Sequence, residues 1–219
     1  NFNPDQAIAI IKENQAKKVF PKYMNPIKKV EKEPLNVNVE YEEIEANVEI
    51  PKVRISYKMP LSIFGNIDKR LVNIYLSIIL RNNFGSTSYL REELLEKELV
   101  VGIGAGRDIF NETLTIDINM ETKYPETVIP IVKEKMNNLT LNEDDLKRRI
   151  RCNIAALIND FDDIEYVNTD IADQIITHGD VCDNMYELYN GLNLSTAIGI
   201  INNINLENSS TVLLVPFKE

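Results

Sequence analysis

The sequence predicts an α+β fold: a two-layer sandwich in which a mostly antiparallel sheet carries helices packed on one face. Three observations carry this expectation. Leu114, Ile116, Ile118 and Met120 alternate with the polar Thr115, Asp117 and Asn119, the period of a half-buried strand. Leu71, Val72, Tyr75, Leu76, Ile78 and Ile79 make one predicted helix apolar almost all round, which places it between layers. The predicted order (helix, β, β, α, α, β, β, a run of helices, β) separates strands from helices as an α+β fold does.

Asn3 and Pro4 read as an N-cap and a first-turn proline, with Ala7, Ile8 and Ile11 on one face of a helix that stops by Pro21. Residues 20–34 hold Pro21, Pro26 and Pro34 among charges and read as an extended arm. The expected division is therefore 1–34, an N-terminal helix and linker arm, and 35–219, one α+β domain. In the domain, Val37, Val39 and Tyr41, then Ile44, Ala46 and Val48, alternate in a strand ending near Pro51. Val53, Ile55 and Tyr57 alternate in a second, before Pro60. Asp68 opens the apolar helix.

The stretch 84–120 follows and organises the rest. Gly85, Ser86, Thr87 and Ser88 supply a loose turn and hydroxyl caps for a short helix with Leu90, Leu94 and Leu95 on one face. An apolar run over 99–103, opened up by Gly102, Gly104 and Gly106, pairs with the alternating strand, with 107–112 as the hairpin turn and Asp108 and Asn111 as its turn formers. A helix over 124–139 turns Val128, Ile131, Val132 and Met136 inward. Thr140 and Glu143 read as a capping box for the next helix, whose stripe is Leu146, Ile150, Ile154, Leu157 and Phe161. Ile164, Val167, Ile171 and Ile175 mark another helix, ending at Gly179. Two shorter helices (183–189 and 195–204) and a strand over 211–215 complete the chain.

A length of 219 residues, 44% hydrophobic and 26% charged, suits a globular protein of one large or two small domains. The net charge of −10 gains nothing from counterion release on a phosphate backbone, so no nucleic-acid partner is expected. The apolar block 71–80 is too short to span a bilayer and contains Asn73 and Ser77, so no membrane partner is expected either. The chain opens on Asn1 with no secretory signal, and is expected to be a fragment or trimmed product of a cytoplasmic protein. Cys152 and Cys182 form no framework and read as buried or idle thiols.

Phe84-Gly85-Ser86-Thr87-Ser88, Leu90, Glu93-Leu94 and Glu96-Lys97 resemble the phrase FGSSSxLFxxLREKxGLVY of zinc peptidases of the pitrilysin/insulinase family, the inverzincins. The opening and closing segments are similar to the YmfH-type bacterial branch. The resemblance implies the C-terminal, non-catalytic half of such a peptidase, closing a peptide chamber and associating with a partner. It implies the N-terminal half of the same protein and a sister subunit as partners, a peptide as substrate, and zinc in the missing N-terminal half.

The chain itself is expected to hold no cofactor. Catalysis in this family rests on HxxEH, and the sequence has one histidine, His178, which reads as interacting with the carbonyls of its helix end. Leu95 stands where the family's substrate-binding Arg would be, and Val101 or Gly102 where its Tyr would be. No catalytic or metal residue is therefore expected; Phe84, Ser86, Ser88, Arg91 and Glu92 are the candidate chamber-facing or partner-contact residues. Gly102, Gly104 and Gly106 lack the spacing of a dinucleotide loop and read as a bulge or close approach in a strand. Asp160, Asp162, Asp163 and Glu165 read as a solvated helix junction. The alternatives are a structural or assembly subunit of the same fold without peptidase activity, and, further off, a small-ligand enzyme built on the glycine-rich strand.

Overall fold

The computed structural model describes residues 3–21 and 34–217, the side chains of 177 and 178 excepted. Contacts divide the chain into Asn1–Glu33 and Pro34–Glu219. The first unit contains α1 (Pro4–Ala16), capped by Asn3, whose side-chain oxygen accepts from the Asp5 and Gln6 amides at 3.0 and 3.3 Å. No residue of α1 is buried. The arm expected over 20–34 lies, between 22 and 33, outside the described residues.

The second unit is built on a five-stranded sheet in the order β1-β5-β2-β4-β3. Its strands are β1 (Tyr41–Ala46), β2 (Lys52–Pro60), β3 (Gly102–Phe110), β4 (Thr113–Glu121) and β5 (Ser209–Pro216). Only β1 and β5 run parallel; the other pairs are antiparallel. β2 is central, pairing with β4 on one side and β5 on the other. Val53, Ile55, Tyr57 and Met59 from β2 and Leu114, Ile116, Ile118 and Met120 from β4 are buried on one face. The alternation of apolar residues fixes which face that is, since a one-residue slip would turn the whole set outward.

That face is covered by α2 (Lys69–Phe84). Asp68 caps it, accepting from the Arg70 and Leu71 amides at 2.8 and 3.3 Å. Val72, Tyr75, Leu76, Ile79 and Phe84 are among its nine buried residues. A helix apolar on nearly all sides has no solvent face, and α2 lies accordingly between the sheet and further helices, touching β3, α8 (Leu194–Asn203), α3 (Tyr89–Glu96) and α5 (Glu143–Asp160). The remaining helices are α4 (Pro125–Asn137), α6 (Ile164–His178) and α7 (Met185–Asn190). Gly179, at φ 82°, ends α6 in the left-handed conformation that glycine adopts without cost.

Four details differ from the sequence reading. β1 starts at Tyr41, not at Val37, because the Val37 amide donates to the Asn208 side chain (2.9 Å) instead of to a neighbouring strand. Strand β3 continues through Asp108, which pairs with Thr115, and the hairpin turn is only Asn111-Glu112, with Asn111 at φ 53°. The β3–β4 register is unbroken from Gly102↔Glu121 to Phe110↔Thr113, so the three glycines mark no bulge; nor would a Cβ at Gly102, Gly104 or Gly106 meet any atom within 4 Å. The cap of α5 is Asn142, which accepts from the Asp145 amide at 2.8 Å, rather than a box of Thr140 and Glu143.

Thr140 is engaged elsewhere. Its amide and hydroxyl donate to Asn83 Oδ1 at 3.0 and 3.3 Å, and its carbonyl accepts from Asn83 Nδ2 at 2.9 Å. Asn83 is buried at the end of α2 and also donates to the Ile79 carbonyl at 2.8 Å. This one amide therefore ties α2 to the α4–α5 connection. Replacing it with the similarly sized Asn83→Leu should cost about 1–3 kcal/mol, because the hydrogen bonds of this buried amide to the Ile79 and Thr140 backbone are lost together. Urea unfolding checks this; a loss no larger than that of Asn82→Ala, a more exposed neighbour, would contradict it.

Candidate functional site

The face of the sheet away from α2 carries no helix of the second unit among the described residues, and its polar side chains meet there. On β4, Asp117 is buried although it points to that face. It receives Arg54 Nε at 3.1 Å on one oxygen and Arg54 Nη2 at 2.7 Å on the other, and the Ser56 hydroxyl also donates to it. The register brings them together: Ser56 lies opposite Asp117, and Arg54 is its diagonal neighbour. The hydrogen bond to Asp117 raises the Arg54 pKa above its ordinary value, against the lowering by burial. Lys52 pairs with Glu121 at 2.7 Å at the end of the same two strands.

Beside these groups the surface sinks into a depression of about 580 Å³. Gly102 and Gly104 of β3, Asn119 of β4 and Val212 and Leu214 of β5 line it, together with Arg54. The depression exists because the glycines put no side chain on this face. Its floor is backbone and aliphatic carbon, its rim the Arg54–Asp117 and Lys52–Glu121 pairs. Such a surface can seat an extended chain, but it offers no activated nucleophile: the Ser56 hydroxyl donates to Asp117, and that carboxylate, held by two Arg54 hydrogen bonds, is too weak a base to deprotonate it.

The sequence-derived candidates lie elsewhere, on the α2–α3 connection. Phe84 is wholly inside the core. Ser88 is buried and caps α3 by accepting from the Arg91 amide at 3.3 Å. Ser86 is exposed and its carbonyl accepts from Arg91 Nη1 at 3.4 Å; Glu92 is exposed in the first turn of α3. Of the five, Ser86, Arg91 and Glu92 have surface to offer, and none of the five lines the depression. Leu95 packs partly against the core, and the exposed Val101 donates its amide to the Glu121 carbonyl at 2.8 Å. The sequence reading passed over Arg54, Ser56 and Asp117. A lone aspartate among strand apolars was the available signal, but only the β2–β4 register brings the three together.

Zinc does not fit the described residues of this chain. Among the described residues no three His, Cys, Asp or Glu side chains form a group that could hold a metal, and the one histidine, His178, has its side chain outside them. Cys152 is exposed and Cys182 half-buried, and both are free thiols rather than core residues. Asp163 caps α6, accepting from the Glu165 and Tyr166 amides at 2.9 and 3.1 Å, which accounts for it within the acidic junction. Among the described residues no helix is long and apolar enough to cross a membrane.

Asp117→Ala should cost only about 1 kcal/mol, since the Arg54 side chain it leaves is 57% exposed and water takes over its donors. Thermal unfolding checks this, and a loss above about 3 kcal/mol would mean that the face is a structural lock instead of an open surface.

No protein-family model and no curated protein matches the chain. Solved structures do. An M16-like peptidase from Alicyclobacillus acidocaldarius superposes with a TM-score of 0.82 at 16% identity, over 99% of this chain and 52% of that one. An inactive domain of an M16 peptidase from Pseudomonas fluorescens gives 0.69 at 15%, over 99% and 52%. A chain of Complex III2 from Candida albicans gives 0.71 at 13%, over 98% and 53%. The chain thus spans about half the length of each of these three structures. The zinc-peptidase resemblance read from 84–120 is met at the level of architecture: the chain has the fold of one half of an M16 peptidase.

Proposed function

We propose that the chain is the C-terminal, non-catalytic half of a zinc-dependent peptidase, which closes a peptide chamber over a zinc-bearing N-terminal half. The observation that carries this is the open sheet face. It is apolar at its floor, charge-balanced at its rim and without an activated nucleophile, so it suits holding a peptide rather than cutting one. The fold shared with an inactive M16 domain supports the same reading. Leu95 and Val101 supply no hydrogen-bond donor from their side chains. Stabilisation of the tetrahedral oxyanion then falls to a sister subunit, where loss of a preorganised donor typically costs about 100- to 1000-fold in rate. A second reading, an assembly subunit without peptidase activity, is favoured by the fold shared with a chain of Complex III2.

Two outcomes separate these readings. The chain alone, dialysed and analysed for metal, should hold no stoichiometric zinc and cleave no quenched peptide, because water activation needs a metal and a base. Joined to its N-terminal half with the sister subunit present, it should support cleavage. Gly104→Val should then lower kcat/KM by about tenfold or more while leaving the melting temperature unchanged, since the new side chain fills the depression yet suits a strand. Stoichiometric zinc in the lone chain, or full cleavage with Gly104→Val, would overturn the chamber reading. A joined pair that assembles but cleaves nothing would favour the assembly subunit.

A further inference from the structure

The charge of this chain is unevenly placed. Residues 1–151 contain 23 Lys or Arg and 23 Asp or Glu, whereas residues 152–217 contain ten Asp or Glu and no Lys or Arg. The whole net charge of −10 therefore belongs to the segment that forms the later part of α5, then α6, α7, α8 and β5. Most of it, eight of the ten, falls between Asp160 and Asp183.

The same segment leaves its apolar face uncovered. Ile164, Val167, Ile171 and Ile175 recur at helical spacing along one side of α6. Ile164 is 84% exposed, Ile171 40% and Ile175 51%, and no described side chain of α6 is buried. Phe161 and Tyr186 are exposed beside the stripe, and a groove of about 400 Å³ runs among α5, α6 and α7. A helix of 15 residues draws little stability from its own propensity and normally owes it to a packed face. An exposed apolar patch of this kind marks an interaction site.

The two properties together select the partner. Asp160, Asp170 and Asp183 stand at the groove, and among the described residues no cation lines it. Among the described residues, the cations beside these acids lie on the inner side, toward α2 and β3. There Arg70 pairs with Asp180 at 2.9 Å, and Arg81 and Arg107 share a cleft with Asp160 and Asp170. A second copy meeting this face about a twofold axis would set acid against acid, which disfavours self-association. The geometry points to a docking surface on α5–α6–α7 for a basic amphipathic helix of another polypeptide. Its apolar side lies on the Ile164–Val167–Ile171–Ile175 stripe and its Lys or Arg flanks reach the acidic rim. A helix laid in an apolar groove, anchored at every third or fourth residue, is a recurrent mode of recognition. This inference uses neither the sheet face nor the peptide chamber, and stands or falls apart from them.

The test uses the whole 219-residue chain and a fluorescent Leu/Lys peptide of about 18 residues, about five helical turns. Its leucines lie on one face; controls carry Glu in place of Lys, or the same residues in scrambled order. The Leu/Lys helix should bind and weaken as salt rises, and the two controls should bind at least about tenfold more weakly. The double variant Ile171→Asp/Ile175→Asp should lose about tenfold or more in affinity, whereas Tyr89→Asp, at a 91% exposed site on α3, should bind as the parent does. Circular dichroism confirms that each variant is folded. The single Ile164→Ser variant, which adds no charge at the most exposed position of the stripe, gives an independent reading if the double variant unfolds, and should weaken binding severalfold. Equal binding by parent and stripe variants, or by ordered and scrambled peptides, would show plain charge attraction and overturn the proposal. So would sedimentation showing a dimer of the free chain that Ile164→Ser dissolves, because the face would then belong to a second copy.

Discussion

The structure depends on the packing of α2 against the central pair β2 and β4. Eight alternating side chains from those strands and the buried side of α2 form one apolar layer. Truncating a buried residue there, such as Leu76 or Ile118, typically costs about 2–5 kcal/mol, a large part of an ordinary domain's stability. The register follows from the same constraint. With Val53 and Met120 opposite each other and facing α2, the next residues along, Arg54 and Asn119, must face away. The open face is thus determined by the buried one: the Arg54–Asp117–Ser56 cluster lies where the core is not.

Two unlike surfaces result. The open sheet face is charge-balanced, with each acid paired across strands, and its relief comes from the absence of side chains on β3. The face of α5–α6–α7 is unbalanced, acidic and apolar together. The first can accept an extended chain of little charge preference; the second discriminates by sign. In the half-protein reading they serve different ends, one inside a closed chamber and one toward another polypeptide.

Much of the fold was legible because local signals and burial agree. Asp68 and Ser88 each precede an apolar-periodic run and each caps a helix with buried residues, and Asn3 caps α1 as its position suggested although α1 buries nothing. Gly179 ends α6 as its position suggested. Sequence reasoning failed where a residue's partner is remote. Thr140 has the spacing of a capping residue, but Asn83 is far away in sequence and takes its hydrogen bonds. Val37 alternates like a strand residue, yet the Asn208 side chain satisfies its amide. The site was least legible for the same reason: Arg54 and Asp117 are 63 residues apart, and nothing in either local pattern names the other. The family phrase at 84–120 led to the α2–α3 connection, where Phe84 is in the core, Ser88 is a buried helix cap, and Ser86, Arg91 and Glu92 reach the surface.

The account's central claim is that the open sheet face lines a peptide-holding chamber. Site-specific photo-crosslinking in the assembled protein tests it most directly. A photoreactive phenylalanine derivative would be placed at Gly104, where added side-chain atoms begin in open space, and separately at Tyr89, which is 91% exposed on α3. The account predicts that bound substrate peptide crosslinks from position 104 and not from position 89. Crosslinking from 89 alone, or equally from both, would contradict it.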